Sequence, residues 1–285
     1  AEGNELSASE GIRVPAGDFS AKIMVKVGQL NSKDFPANKK YAIPLSITGA
    51  SNYSLIPSQR SAILLLNRSI LSSVAKVSGG EGIRIKPVGM HTKAEWTIQM
   101  SAIYSSLTRS NLTTAYLSNG TGGEFYTRIS STAGIQVKNG RDGDDTWTQI
   151  PLQAGKWLHI TYVHKDKKTT VYVNGKVQKV FENSAITFGE NSMIVVGNSG
   201  YRNDYLREIR LWDKALTESE INDYLYLPMD PATPHLISYL PLSKEMETKD
   251  LKAPAGTENV TTKARIEYVE NVKFPADELV IVNQE

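Results

Sequence analysis

The 285-residue chain contains no cysteine. That absence excludes disulfide bonds, thiolate metal sites and cysteine nucleophiles, but it leaves the redox compartment open, because a protein without cysteine can occupy any compartment. Long hydrophobic runs are also lacking. The longest strongly apolar run is residues 62–66, which is far shorter than the roughly 20 residues of a membrane-spanning helix.

The chain has little excess of charge of either sign. Its 32 basic and 30 acidic residues give a formal net charge of +2, so no long-range field attracts nucleic acid or an anionic membrane. The hydrophobic fraction of 40% and the charged fraction of 22% are typical of a globular protein. The length predicts about two domains. The chain opens on AEGNELSASEG without an initiator methionine, which is typical of a processed or trimmed start and compatible with a secreted or tethered parent protein.

Strand signals are concentrated in residues 156–225. Residues 157–163 are rich in aromatic and β-branched side chains, which favour an extended chain. Asn174-Gly175 predicts a type I′ hairpin turn, because both central residues of that turn need positive φ. Further strands are predicted at residues 193–196 and 206–212.

A single helix is predicted after these strands. Thr217 and Glu220 have the spacing of a capping box, in which the threonine hydroxyl accepts from the third amide of the helix and the glutamate accepts from the cap amide. The helix should end near residue 225, before Pro228.

Four segments carry a resemblance to a known family: WLHITYV, YVNGK, VVGN and EIRLWDKALTESEI. Together they resemble the laminin-G-like, concanavalin A-type jelly-roll family over residues 82–241. The resemblance implies a jelly-roll β-sandwich, and strands predicted at residues 236–242 and 264–269 extend it towards the end of the chain.

The N-terminal part carries a second resemblance, through VPAG, KIMVKVGQL and KKYAIPLSITGAS. It is similar to the small immunoglobulin-like β-sandwich domain at the N-terminus of Bacteroidota surface lipoproteins. The predicted fold class is therefore all-β: an immunoglobulin-like β-sandwich domain at residues 1–78, and a larger concanavalin A-like jelly-roll sandwich with one short helix at residues 83–285.

No catalytic motif of the hydrolases fits the sequence. Jelly-roll hydrolases of this architecture resemble a family that carries its nucleophile and its acid on one strand, as Glu-x-Asp-x-x-Glu. Side chains two residues apart lie on the same face of a strand, so both can reach one substrate. The nearest pairs here, Glu208 with Asp213 and Glu267 with Glu270, have spacings that place them on opposite faces. A Gly-x-Ser-x-Gly elbow and a helical histidine pair are also absent from the sequence. The prediction is that the protein is not an enzyme, with a glycoside hydrolase as the weaker alternative.

The sharpest polar cluster is NGRDGDDTW, residues 139–147. Asp142, Asp144 and Asp145 are candidate ligands for Ca²⁺, which prefers six to eight oxygen ligands, and the glycine allows a tight loop. The alternative is a solvated Asp-Gly turn that holds no metal.

Aromatic residues in predicted loops are the second candidate feature. Trp147 lies beside the aspartate cluster, and Tyr201 is followed by Arg202, Asn203 and Asp204. Sugar faces stack on flat rings while polar side chains bind the hydroxyl groups, so these five residues are predicted to contact a ligand. The alternative is that they only anchor their loops. The other three tryptophans lie in predicted strands and are interpreted as core.

The two resemblances imply a cell-surface carbohydrate-binding protein without catalytic activity, part of a system that captures polysaccharide. The implied partners are a glycan and other surface lipoproteins, with no nucleic acid. The implied location is the outer face of a bacterial outer membrane, through a lipid anchor upstream of residue 1, or the secreted fraction. A structural or protein-adhesion module is the alternative function.

Overall fold

The computed structural model describes residues 12–21, 25–28, 34–35, 41–66, 69–80, 82–88, 94–107, 113–116, 125–138, 143–182, 187–188, 192–197 and 201–283, with only the backbone of 113–116, 144, 201 and 202. The chain forms two compact units, residues 1–36 and 37–285. In the first unit the described residues include a turn, in which the Asp18 amide donates to the Pro15 carbonyl at 3.1 Å. The described residues 25–28 form no strand.

The regular secondary structure in the described part of the second unit is almost all β-strand, with one short α-helix. None of the described helices is long and apolar enough to cross a bilayer. The strands are β1 (Tyr41–Ser46), β2 (Ser61–Leu66), β3 (Ile70–Gly79), β4 (Ile83–Ile85), β5 (Trp96–Ile103), β6 (Thr113–Tyr116), β7 (Phe125–Ser130), β8 (Gly134–Lys138), β9 (Trp157–Lys165), β10 (Lys168–Val173), β11 (Lys176–Glu182), β12 (Met193–Val196), β13 (Tyr201–Trp212), β14 (Leu236–Leu240), β15 (Val260–Thr261) and β16 (Arg265–Phe274), and the helix is α1 (Glu218–Asp223). Short 3₁₀ turns lie at Pro57–Gln59 and Asp144–Thr146.

Two antiparallel sheets form a sandwich. The large sheet has the order β11-β10-β9-β5-β13-β3-β16, with β14 also paired to β13, and the small sheet has the order β15-β4-β12-β6-β7-β8. Alternate residues of β5, namely Trp96, Ile98, Met100 and Ala102, are fully buried in the largest apolar cluster of the molecule. The predicted all-β fold, with a jelly-roll sandwich and a single short helix, is confirmed.

Local signals placed the hairpin and the helix correctly. Asn174 and Gly175 have φ values of 51° and 76°, as a type I′ turn requires. In α1 the Thr217 hydroxyl accepts from the Glu220 amide at 3.3 Å, and the Glu220 carboxylate accepts from the Thr217 amide at 2.9 Å. Both the predicted turn and the predicted capping box are present.

The outer face of the large sheet is the side that points away from the small sheet, and two segments cover it. Residues 213–230, which include α1, cover one part, and Tyr224 there stacks on Trp212 with ring centroids 5.6 Å apart. Residues 274–282 cover the other part, where the Trp157 amide donates to the Asp277 carbonyl at 2.8 Å. The polar side chains on this face are therefore buried.

Strand β3 joins the large sheet although it precedes the predicted domain boundary. It pairs with β13 on one side and with β16 on the other. The hairpin β1–β2 forms a separate two-stranded sheet that exposes 69% of Ile63 and 76% of Leu65. An immunoglobulin-like sandwich in the N-terminal residues stays a prediction.

Candidate functional site

The loop that precedes Trp147 is closed by its own hydrogen bonds. The Gly143 carbonyl accepts from the amide of Thr146 at 3.1 Å and from its hydroxyl at 2.6 Å. A Cβ at Gly143 would lie 2.8 Å from Oδ1 of Asp145, and φ at Gly143 is +146°, so the tight turn needs glycine.

Trp147 is half-buried and held from two sides. Its backbone forms an antiparallel bridge with Gln136 of β8. The Lys179 ammonium group donates to the carbonyls of Asp145 at 2.8 Å and of Trp147 at 2.6 Å. The backbone at Trp147 is therefore fixed by β8 and by β11.

The bridge places Trp147 in one row with a residue of β7, which lies one strand beyond β8. Arg128 lies opposite Gln136 in the sheet register, so Arg128, Gln136 and Trp147 form one row across the hairpin β7–β8. The Arg128 guanidinium lies 5.3 Å from the centroid of the Tyr126 ring, and its Nε donates to the tyrosine hydroxyl at 3.2 Å. Residues Tyr126, Arg128, Gln136 and Trp147 are called the β7–β8 platform below. Gln136 is only 1% exposed, so the surface of the platform comes from the other three residues.

The β7–β8 platform offers two kinds of contact. Tyr126 and Trp147 are half-buried aromatic side chains, and Arg128 carries hydrogen-bond donors beside them. Sequence reasoning selected Trp147 but missed Tyr126 and Arg128. The signal was the alternation in FYTRIS, where Phe125, Thr127 and Ile129 are buried and the residues between them are half-buried.

Residues 201–204 lie in strand β13, not in the predicted loop. Tyr201 and Arg202 pair with Gly79 and Ser78, and only their backbone is described. Asn203 is exposed at a register shift, with a φ of 62°.

Asp204 has no exposed surface, and its carboxylate holds the chain that follows β5. Its Oδ1 accepts from the Ser105 amide at 2.9 Å and from the Ser105 hydroxyl at 3.1 Å. This carboxylate has a structural role in the sandwich, and its predicted contact with a ligand has no access from solvent.

The two predicted groups do not come together. Lys179, which binds the Trp147 loop, lies on β11, and the second group lies on β13, four strands away in the large sheet. At about 4.8 Å per strand, strands β11 and β13 are about 19 Å apart. The groups would need separate ligands.

The calcium prediction stays a prediction. Asp145 is exposed, Asp142 lies outside the described residues, and Asp144 is described by its backbone alone. Among the side chains that the structure describes, no group of three or more histidine or acidic residues could hold a metal ion.

The two carboxylate pairs that were the nearest match to a hydrolase motif form ion pairs with basic side chains. Each of the four groups has a basic partner: Glu208 binds Arg210 and Arg207, Asp213 binds His235, Glu267 binds Lys76 and Arg265, and Glu270 binds Lys244.

A surface groove lies at the end of α1, on the side of the large sheet opposite to the small sheet. It is lined by Asp223, Tyr224, Leu227, Pro228, Met229, Asp230 and Thr233. The β7–β8 platform belongs to the small sheet, so the groove and the platform are separate features.

Solved structures share the fold. A candidate carbohydrate-binding protein from Bacteroides ovatus is 18% identical and matches 84% of this chain and 71% of its own, with a TM-score of 0.56. A heptameric SAP-like pentraxin from Limulus polyphemus is 13% identical over 70% of this chain and 94% of its own, with a TM-score of 0.47. A search of curated proteins finds no match.

One comparison corrects a prediction. The matching structures include a Trypanosoma rangeli sialidase, which is 16% identical over 52% of this chain and 26% of its own, with a TM-score of 0.38. Sialidases are glycoside hydrolases, so the prediction that the protein is not an enzyme is withdrawn. This level of similarity gives no basis for assigning an activity to the chain.

A family model supports the fold from the sequence itself. The laminin G type model of the concanavalin A-like lectin/glucanases superfamily matches residues 78–222, which is just over half of the 285 residues. The match spans the small-sheet hairpin, the type I′ turn and the capping box described above. The chain belongs to the concanavalin A-like lectin/glucanases superfamily.

Proposed function

We propose that the protein binds carbohydrate and that the β7–β8 platform is the binding surface. The observation that carries the proposal is the row formed by Trp147, Gln136 and Arg128, with Tyr126 beside it. Aromatic rings next to fixed hydrogen-bond donors suit a ligand with both apolar faces and hydroxyl groups. Membership of a lectin and glucanase superfamily adds support.

The spacing of the row favours an oligosaccharide over a single sugar. Trp147 and Arg128 lie on either side of Gln136, so about two strand spacings, or about 10 Å, separate their backbones. One sugar ring can stack on Trp147 while the hydroxyl groups of the next accept from Arg128.

The test is a glycan array followed by calorimetry on the strongest ligand. Trp147→Ala and Tyr126→Ala should each weaken binding about 5-fold or more, because an aromatic contact contributes about 1 kcal/mol. Tyr53→Ala is the control, since it removes a tyrosine that is 84% exposed on another part of the chain. Folded platform variants that bind as tightly as the parent would remove the platform from consideration.

Repeating the array with EDTA tests the calcium proposal for Asp142, Asp144 and Asp145. If the ion fixes the loop before Trp147, chelation should weaken binding and added Ca²⁺ should restore it. Unchanged binding in EDTA would mean that the aspartates form a solvated turn.

We also propose that the protein acts at the outer surface of a bacterium, held by a lipid anchor and capturing polysaccharide with other surface lipoproteins. The support is the N-terminal resemblance carried by KKYAIPLSITGAS. The full-length gene tests the proposal, because a lipid-anchored protein needs a lipobox cysteine upstream of residue 1. A gene without that cysteine contradicts the anchor.

A protein-adhesion module is the second candidate function. The observation in its favour is the hairpin β1–β2, where Ile63 and Leu65 are exposed, since exposed apolar surface often marks a protein contact. The glycan array separates the two functions: an adhesion module gives no signal on any glycan.

A further inference from the structure

A β-bulge gathers charged side chains on the outer face of the large sheet. Opposite β5, Arg207 pairs with Ser101 and Arg210 with Gln99, so two residues of β13 face one residue of β5 between these pairs. The bulge allows Arg207, Glu208 and Arg210 to share one face, where each is at most 3% exposed. Two guanidinium groups and one carboxylate are buried there.

The carboxylate is committed mainly to Arg210. Glu208 accepts from Nη2 of Arg210 at 2.5 Å, whereas the contact with Nη2 of Arg207 is 3.4 Å. Arg210 also donates to the carbonyls of Tyr224 at 2.9 Å and Leu227 at 2.6 Å. Arg207 is therefore the cation whose charge is least compensated.

The other titratable groups of the cluster do not supply a negative charge. Burial, followed by the charge of Glu208, raises the pKa of Tyr239 far above its ordinary value, so the phenol stays protonated. Burial, followed by the charges of Arg210 and Arg207, holds the pKa of His159 well below its usual range, so the imidazole is neutral. The cluster carries one excess positive charge.

Besides Nε of Arg210, three buried nitrogen atoms on this face have no hydrogen-bond partner among the described residues: Arg207 Nε, Trp157 Nε1 and His159 Nε2. Arg207 and His159 lie on either side of Ser101 in one row of the sheet, and Trp157 is two residues from His159 on the same face. The Ser101 hydroxyl is 2.7 Å from Nδ1 of His159. If the hydroxyl donates, the ring hydrogen lies on Nε2, and all three nitrogen atoms are donors.

A single aromatic ring covers two of these donors. The Phe274 ring lies 4.0 Å from the Arg207 guanidinium, and its centroid is 5.0 Å from that of Trp157. The three donors lie on the outer face of β13, β5 and β9, where Phe274 of the C-terminal segment packs. A buried cation without a paired charge is costly, and so are buried donors without acceptors.

We propose that this region binds a small inorganic anion of the size and charge of chloride, with Arg207 as its counter-ion and Trp157 and His159 as further donors. A monovalent anion cancels the excess charge and accepts from all three nitrogen atoms. A single water molecule has two lone pairs, so it would accept from at most two of the three donors, and it would leave the charge. The site lies on the large sheet and is independent of carbohydrate binding.

The first test is thermal unfolding of the whole chain in chloride and in gluconate at equal ionic strength. A ligand that binds only the folded state stabilises it by mass action. The Tm should therefore be higher in about 200 mM chloride by about 2 °C or more. Equal Tm values in the two salts would overturn the proposal.

Variants locate the effect. Arg207→Met should abolish the chloride dependence and Trp157→Phe, which keeps the ring but loses the donor, should reduce it. Arg265→Met is the control, because the Arg265 side chain is 77% exposed and pairs with Glu267 at the surface. A chloride effect of the same size in Trp157→Phe as in the parent would contradict the assignment, even if Arg207→Met does not fold.

The second test does not depend on variants. A crystal of the parent protein soaked in bromide should give an anomalous peak within hydrogen-bond distance of Arg207 Nε and Trp157 Nε1. A water molecule at that position, or no density there, would overturn the proposal.

Discussion

At the scale of single residues, Glu208 determines the charge of the buried cluster that it forms with Arg207 and Arg210. It is the one carboxylate described between Arg207 and Arg210, and Tyr239 donates to it at 3.0 and 3.2 Å. Its backbone has a φ of 57°, which is uncommon for a residue other than glycine and belongs to the bulge. The surrounding pairing holds this conformation in place.

Glu208→Gln should therefore strongly destabilise the fold. The amide keeps the shape but loses the charge, so the buried Arg210 guanidinium loses its counter-ion. Breaking a buried ion pair in this way typically costs about 3 kcal/mol or more. Urea unfolding measures the change in the free energy of unfolding.

Glu267→Gln is the matched control, because the Glu267 side chain is 48% exposed and pairs with Lys76 and Arg265 at the surface. A surface pair contributes at most about 1 kcal/mol. If the two variants are equally stable, the buried carboxylate does not have the role assigned to it.

At the scale of elements, the hairpin β10–β11 is tied to helix α1. Gly175 has a φ of 76°, and a Cβ there would lie 2.1 Å from Oδ1 of Asn222 on the helix. Gly155 has the same φ of 76° with nothing within 4 Å of the same position. Substituting each glycine by alanine therefore distinguishes the cost of positive φ, which both positions share, from the cost of the steric contact, which only Gly175 has.

We expect Gly155→Ala to destabilise the protein by about 1 to 2 kcal/mol, the cost of a side chain at positive φ. Gly175→Ala should cost more, because it adds the contact with Asn222. Urea unfolding of both variants gives the difference directly. Equal losses would show that the Asn222 side chain moves aside freely.

Elements set by neighbouring residues could be predicted from the sequence. The Asn174-Gly175 turn and the Thr217 capping box depend on residues within a few positions of each other, and both are present. The start of β13 at Tyr201 was missed, because its partners Gly79 and Ser78 lie more than 100 residues earlier. The residues around position 201 do not by themselves indicate such a pairing.

The candidate site was predictable only in part, for the same reason. Trp147 stood out by residue type and by its aspartate-rich loop. Arg128 becomes its neighbour only through the register of β7 and β8 and the bridge at Gln136. The burial of Arg207 depends on Phe274, which is 67 positions away in the chain.

At the scale of the whole molecule, the sandwich extends beyond the family match. Residues 78–222 lack most of β3 and all of β14, β15 and β16, although β3 and β14 pair with β13 in the large sheet. A fragment of residues 78–222 would also lose Tyr239 and Phe274, which cover the buried cluster.

We therefore expect the fragment 78–222 not to fold cooperatively, and the fragment 69–283 to fold. Near-ultraviolet circular dichroism of the buried tryptophans and a single urea transition are the measurements. A sharp transition in the shorter fragment would mean that the outer strands are dispensable. Failure of the longer one would mean that residues outside 69–283 are needed.

The position of β3 between β13 and the edge strand β16 has a consequence for the synthesis of the protein. Val74 pairs with Val269, so about 200 residues separate the two partners along the chain. At 5 to 20 residues per second, a ribosome needs about 10 to 40 s to produce the second after the first. During that time β3 has an open edge, which can pair with the same strand of a neighbouring nascent chain. Translation on crowded polysomes is therefore the stage at which this protein is most exposed to aggregation.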